Sequence, residues 1–371
     1  LNLVTFKISA TETRKVVCGA SNVKVGLKTP FAPIGVTLPI GLTLEPKKIR
    51  GVLSEGMLCS EEELGLKDES DGIMELPSEA PVGMTLAEYW KAPTDILLDV
   101  DNKSLTHRPD LWGHFGMARE FATIFNSPLK NPYDSKWKDQ LTTKIGQGTS
   151  PVKVKLQGES AGLAYFGLSI DGVKVTDSPE WLKQRITSVG LRSINSIVDI
   201  SNYVMLELGM PNHIFDREQI AGNELVIKQL GQSATFKTLD EVDRQLVETD
   251  TVICDANGPL VLAGIMGGQS SGVSEKTTNI FLEVANWKPA LVRRTSTRLG
   301  LRTDSSQRYE KTLDSQLCER TLFRLLDLIL KLNPDAKVVG KIEYDGIDLS
   351  TFKPLTIKTT VARISKTLGK D

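Results

Sequence analysis

The period of the apolar residues changes along this chain, and that change limits the fold more than any single motif. Up to about residue 83 the apolar positions alternate in short runs. Val4, Phe6 and Ile8 precede a polar turn, "KVVCGASNV" resumes the pattern, and Gly and Pro recur at Gly26, Pro30, Pro33, Gly35 and Pro39. Short runs of period two bounded by turns specify strands, and this spacing predicts a barrel. From about 84 to 130 the period becomes helical. In "HRPDLWGHFGMAREFATIF" Pro109 suits a first helical turn, and Leu111, Phe115, Ala118 and Phe121 recur near every 3.6 residues. The polar stretch "NSPLKNPYDSKWKDQLTTKIGQGTS" then reads as a linker.

Beyond residue 151 both periods are present. Val152, Val154 and Leu156 alternate, and "LAYFGLSIDGVKV" predicts a second strand. Ser178-Pro179 resembles an N-cap and N1 pair opening "EWLKQRITSV", with Leu182, Ile186 and Val189 on one face until Gly190. A second helix is expected over roughly 196 to 208, with Gly209 past its end and Pro211 blocking continuation. Asn257-Gly258 between apolar runs signals a hairpin. In "NIFLEVANW" Ile280, Leu282 and Val284 share one face, Phe281 and Glu283 the other.

A chain of 371 residues exceeds one ordinary core and implies about two to three domains. The expected class is α+β and multidomain: 1–83 a β-barrel, 84–150 a helical segment and linker, 151–350 a mixed α/β domain, and 351–371 the start of a further unit. Residue 1 is Leu, and "VARISKTLGKD" breaks off inside a starting helix, so a piece of a larger polypeptide is expected. With 45 Lys+Arg against 46 Asp+Glu the net charge is −1, which excludes a global field steering nucleic acid or membrane; any such contact is local. Cys18, Cys59, Cys254 and Cys318 form no C-x-x-C pair, which argues against a zinc ribbon or disulfide framework and for buried thiols in a cytoplasmic protein. No signal peptide or membrane-length apolar run occurs.

Glu283 is the least expected residue by pattern, because a carboxylate amid Ile, Phe, Leu, Val and Ala is desolvated unless something hydrogen-bonds it. It either points to water from an edge strand or points into a pocket awaiting a donor. His213, one of three histidines, follows a helix end, where it either caps carbonyls or joins Ser201 and Asn202 in a site. The loop "AGIMGGQSSG" lacks the Gly-Lys-Ser/Thr of a phosphate-binding loop, so its glycines serve a sharp turn or close backbone approach. From 293 to 311 six Lys/Arg meet two Asp/Glu, a local +4 that fits either a solvated helix or phosphate contact; Arg293, Arg294 and Arg298 are the candidates. Lys47, Lys48 and Arg50 form a smaller cluster of the same ambiguity. His107 and His114 have no companion ligand at metal spacing, so no metal site is expected in this segment.

Four stretches together, "RPDLWGHFGMARE", "INSIVDISNYVMLELGMPNHIFD", "LAGIMGGQSSGVSEKTTNIFLEVANW" and "RRTSTRLGLRTDSSQRYEK", resemble the beta subunit of bacterial-type phenylalanyl-tRNA synthetase. "KVVCGASNV" and "KKIRGVLSEGMLCSEEELGL" resemble its tRNA-binding OB-fold domain. The resemblance implies an OB-fold barrel, a B3/B4 editing domain and the start of a B5-like domain. It also implies a heterotetramer of two alpha and two beta subunits that charges tRNA(Phe), with ATP and Mg²⁺ used on the alpha subunit and no cofactor bound by this segment.

For the 151–350 domain the resemblance implies hydrolysis of tyrosine wrongly esterified to tRNA(Phe). The implied catalytic set is His213, Glu283, Thr303 and Asn202, with Ser201, Ala263, Gly264 and Ser305 binding the substrate. A pocket made for phenylalanine rejects an added hydroxyl by only about 10²-fold, whereas a site that hydrogen-bonds a hydroxyl rejects the analogue lacking it by about 10⁴ to 10⁵. Glu283 is expected to accept the tyrosine O–H, and Gly264 to leave room for the ring. Ser305 stands where the family usually has Ala, and "KTLDS" where it has "RGVDP". These departures keep open a different role, an RNA-binding scaffold without editing.

Overall fold

The computed structural model describes residues 1–91, 96–158, 162–269, 272–353 and 355–369. Ser270 and Ser271 of the glycine-rich loop, and Lys370 and Asp371 of the last stretch, lie outside them. The chain divides into two compact units, Leu1–Ile96 and Leu97–Asp371.

In the first unit β1 (Asn2–Lys7) pairs antiparallel with β2 (Thr13–Cys18), as the alternation requires. The remaining strands are three residues each: β3 (Phe31–Pro33) pairs with β6 (Gly56–Leu58), and β4 (Lys47–Ile49) with β5 (Val52–Ser54). These are three two-stranded sheets, and among the described residues none closes into the expected barrel. The punctuation that marked the strands also shortens them, since Pro33 and Pro39 cannot donate to a ladder and Gly35 and Gly41 turn the chain. Val16, Cys18, Leu58 and Ile73 form the small core. A four-residue helix, α1 (Leu86–Tyr89), opens on a Thr85–Glu88 capping box.

In the second unit the expected helix near 109–121 is divided. A 3₁₀ turn covers Pro109–Trp112, and α2 (His114–Ile124) begins after Gly113, where a Cβ would lie 2.3 Å from the Gly209 nitrogen. Next come α3 (Ser135–Thr142), β7 (Lys153–Leu156), β8 (Gly162–Asp171), α4 (Glu180–Thr187) and α5 (Ser196–Leu208). Ser178 is not the cap of α4: Pro179 holds that place, and the Ser178 hydroxyl donates instead to buried Asp199 at 2.5 Å. Gly209 ends α5 in the left-handed conformation, its N–H on the Met205 carbonyl at 2.8 Å.

The strands β9 (His213–Asp216), β10 (Glu224–Gln229), β11 (Ala234–Lys237), β12 (Asp243–Leu246), β13 (Thr251–Cys254), β14 (Pro259–Leu262), β15 (Met266–Gly267) and β16 (Asn279–Trp287) follow. Then come α6 (Pro289–Leu299), α7 (Asp304–Tyr309), α8 (Leu317–Leu332), β17 (Lys337–Gly346) and α9 (Val361–Leu368). Two larger sheets result. One is antiparallel in the order β17-β8-β16-β9; the other runs β15-β14-β13-β10-β7, with β10 and β7 parallel. The Asn257-Gly258 hairpin joins β13 to β14 as its dipeptide requires.

β16 is central in its sheet, which removes the edge-strand reading of Glu283. Its Ile280, Leu282 and Val284 face is the one α8 covers: Asn286 on that face donates to the Leu313 carbonyl at 2.7 Å, just before α8. Phe281 and Glu283 therefore face the opposite way, and one continuous core joins both sheets and the helices.

Candidate functional site

Three strands place side chains on that second face. Antiparallel pairing sets Glu283 directly opposite His213 of β9 on one side and Gly167 of β8 on the other. Directly paired residues project to the same face, so the alternation puts Phe215, Tyr165 and Phe281 there as well. A Cβ on Gly167 would lie 2.1 Å from Phe281 Cζ, so the missing side chain is the space Phe281 fills. The His213 ring packs edge-on to Phe215, centroids 4.5 Å apart.

The loop joining β14 to β15 approaches this face. A Cβ on Gly267 would stand 3.2 Å from His213 Cε1. Gly264 has φ of +70°, and a Cβ there would meet Trp287 Cδ1 at 2.9 Å and Val292 at 3.2 Å. What a side chain at Gly264 collides with is therefore the protein's own tryptophan. Thr303 caps α7, accepting from Ser306 N, and donates to the Ile265 carbonyl at 2.8 Å, tying α7 to the loop. Tyr309 reaches the Pro211 and Ala285 carbonyls at 2.8 and 2.9 Å, anchoring the turn before His213 to β16.

The electrostatics of the face follow from burial. Glu283 is 5% exposed, and desolvation pushes its carboxyl up to about 8; the nearby Tyr165 hydroxyl pulls the other way. At neutral pH Glu283 is thus mostly a neutral acid, with one donor and one free acceptor, and not the carboxylate expected from the sequence. Burial lowers His213 to about 4, leaving its imidazole neutral. Four buried polar atoms on this face, Glu283 Oε2, His213 Nε2 and the Tyr165 and Ser169 hydroxyls, have no hydrogen-bond partner. Native proteins leave few such atoms, because each costs about 1–3 kcal/mol.

Not every sequence candidate shares this geometry. Ser201 donates to Asn212 Oδ1 at 2.8 Å and accepts Asn212 Nδ2 at its own carbonyl, so it reaches His213 through a neighbour the sequence did not single out. Ala263 is buried, its N–H on the Thr251 carbonyl at 3.1 Å. Asn202 and Ser305 are half-buried, and their side chains make no hydrogen bond among the described residues. Tyr165, Gly167 and Asn212 were not singled out in the sequence, and Gly267 only as one of the loop glycines. The one available signal was Tyr165, a polar-tipped residue inside the alternating run of β8.

The basic candidates divide as well. Lys47, Lys48 and Arg50 are exposed on β4 and its turn and make no ion pair among the described residues. Arg298 pairs with buried Asp250 and donates to the Gln245 carbonyl at 3.0 Å. Arg308 is buried and bonded to Asp304, while Arg302 and Lys311 both pair with Glu310. The local +4 is therefore largely internal. Arg293 and Arg294 remain exposed and unpaired among the described residues, beside a surface groove of about 670 Å³ with Pro289, Ala290 and Thr297.

All four cysteines are buried and unpaired. No three His, Cys, Asp or Glu side chains converge as metal ligands among the described residues, and no described helix is long and apolar enough to cross a membrane.

Comparison with known proteins accounts for both units. The putative tRNA binding domain family matches residues 1–85, and the B3/4 domain family matches residues 162–334. The chain is 42% identical over 379 residues to the phenylalanine–tRNA ligase beta subunit of Porphyromonas gingivalis, covering 100% of this chain and 45% of that protein. To the beta subunit of Carboxydothermus hydrogenoformans it is 39% identical over 362 residues, covering 96% and 44%. It spans about half the length of the curated relatives it matches. A crystal structure of an N-terminal fragment of the phenylalanyl-tRNA synthetase beta-subunit from Pyrococcus horikoshii is 16% identical, with a TM-score of 0.34 over 72% of this chain and 71% of that one. With two domain families in register and identity near 40% along nearly all of this chain, the chain belongs to the phenylalanine–tRNA ligase beta-subunit family.

Proposed function

We propose that the second unit hydrolyses tyrosine mistakenly esterified to tRNA(Phe), within a cytoplasmic phenylalanine–tRNA ligase of two alpha and two beta subunits. Phenylalanine charging with ATP and Mg²⁺ belongs to the alpha subunit. The domain scheme is 1–83 an OB-fold-like tRNA-binding unit, 84–150 helical segment and linker, 151–350 the editing domain, and 351–371 the start of a B5-like domain. The supporting observation is the cross-strand pair Glu283–His213, whose Oε2 and Nε2 are buried and unpartnered on one face.

The chemistry follows from those protonation states. A tyrosyl hydroxyl donates a hydrogen bond to the free oxygen of Glu283, whereas a phenylalanyl ring leaves that oxygen desolvated and unpaired. His213, neutral and with a free nitrogen, takes a proton as water adds to the ester carbonyl, then returns it to the ribose oxygen as the ester C–O bond breaks. Ser201 and Asn212 hold the chain that carries His213, and Thr303 fixes the loop beside it. Asn202, Ser305, Ala263 and Gly264 complete the pocket wall. Lys47, Lys48, Arg50, Arg293 and Arg294 contact tRNA phosphates, whereas Arg298 is held by Asp250.

One observation favours the scaffold reading: in this conformation Glu283 Oε2 and His213 Nε2 are sealed from solvent, so a substrate must displace covering groups. Deacylation of Tyr-tRNA(Phe) by the assembled synthetase separates the two. Editing requires hydrolysis that His213→Ala slows and Glu283→Ala renders unselective; a scaffold shows salt-sensitive RNA binding and no hydrolysis.

A further inference from the structure

Tyr165 is the buried polar group that the reading above leaves unused. Its side chain is fully buried, its hydroxyl has no hydrogen-bond partner, and its ring is held edge-on to Trp287 with centroids 6.5 Å apart. On β8 it lies two residues from Gly167, the register partner of Glu283, and alternation puts it on the Glu283 face. The hydroxyl is close enough to the Glu283 carboxyl for each to act on the other's proton affinity. Ser169, another unpartnered hydroxyl on this face, lies opposite Phe281 and has no such influence on Glu283.

A phenol that enters an apolar site has two demands. Its proton needs an acceptor, and its oxygen needs a donor in place of the water it has lost. Glu283 meets the first. The second is met by an O–H or N–H beside Glu283 other than its own acid proton, and the Tyr165 hydroxyl, with no hydrogen-bond partner within 3.5 Å, stands near enough to act on the Glu283 carboxyl. Resting on the editing reading, we propose that Tyr165 is a specificity-determining residue, donating a hydrogen bond to the same substrate hydroxyl that donates one to Glu283. The recognised class is an aromatic acyl ester bearing a ring hydroxyl. Phenylalanyl esters satisfy neither group.

Tyr165→Phe tests this in the assembled synthetase, with Tyr-tRNA(Phe) and Phe-tRNA(Phe) as probes. The ring stays, and removing an unpartnered buried hydroxyl leaves thermal stability unchanged or raised. Deacylation of Tyr-tRNA(Phe) should fall about tenfold while that of Phe-tRNA(Phe) stays the same, since the lost bond is made only to the ring hydroxyl. The pH midpoint for Tyr-tRNA(Phe) assigned to Glu283 should move upward, because Tyr165 holds it down. Ser169→Ala should move neither. Equal loss on both esters, or no change on either, overturns the assignment. If Glu283→Gln abolishes selectivity and Tyr165→Phe does not, the Tyr165 assignment falls while the editing reading stands; if the wild type itself does not hydrolyse Tyr-tRNA(Phe), both fall.

Discussion

Glu283 and His213 stand directly opposite one another on adjacent antiparallel strands, and burial drives their proton affinities apart, to about 8 and about 4. Both side chains are consequently neutral at pH 7. A buried acid and a half-buried imidazole whose Nε2 is sealed from solvent share one face without forming an ion pair, so the face is poised for a neutral, hydroxyl-bearing ligand.

The same shifts make stability depend on pH. Between about 4.5 and 8 the folded state holds a proton on Glu283 that the unfolded chain releases, so stability falls as pH rises through that window. His213 acts oppositely between about 6.5 and 4, where the unfolded chain takes a proton that the folded one refuses. The two slopes oppose each other below pH 6.5, and only the Glu283 slope remains above it. Thermal unfolding at pH 6.5 and 8.5 should show a loss on the order of 2 kcal/mol that Glu283→Gln largely removes. An equal loss in the variant contradicts burial of the free acid.

The glycines of the site are expected to behave as packing positions. Gly167→Ala drives a methyl into the Phe281 ring, and Gly264→Ala adds a left-handed backbone penalty to a collision with Trp287. Each should cost about 1–3 kcal/mol in unfolding experiments. If Gly264→Ala kept full stability and lost only substrate affinity, the glycine would be making room for the substrate ring, as its sequence context had implied.

That contrast marks how far the residues could be read without coordinates. The helix ending at Gly209 and the strand carrying Glu283 follow from local periodicity and turn chemistry, which act over a few residues. The pairing of Glu283 with His213 depends on strand register over 70 positions of sequence, which no local pattern encodes. The same limit hid Tyr165 and Asn212, whose importance lies only in what they face. The barrel expectation failed for a related reason: alternation identifies strands but not whether their ladders close. Arg298 counted as free charge in the sequence because Asp250, its partner, is distant along it.

The arginines of α6 and its surroundings should therefore separate in experiment. Arg293→Ala and Arg294→Ala are expected to weaken tRNA binding with little effect on folding, each lowering the slope of log affinity against log salt by about 1. Arg298→Ala removes the cation from the Asp250 carboxylate, itself 2% exposed and left with the Thr295 hydroxyl and the Val247 N–H, and should cost about 1–3 kcal/mol of stability. Filter binding over a salt series, beside thermal unfolding, checks both. An Arg298 variant with native stability and a reduced salt slope contradicts this division.

The most direct measurement is deacylation of Tyr-tRNA(Phe) and Phe-tRNA(Phe) by the complete synthetase, wild type against Glu283→Ala. The expected result is strong wild-type preference for the tyrosyl ester, reduced by about 10²-fold or more in the variant as the hydroxyl loses its buried acceptor. A wild-type preference left intact by Glu283→Ala contradicts the assignment of this face as the site that recognises the tyrosyl hydroxyl.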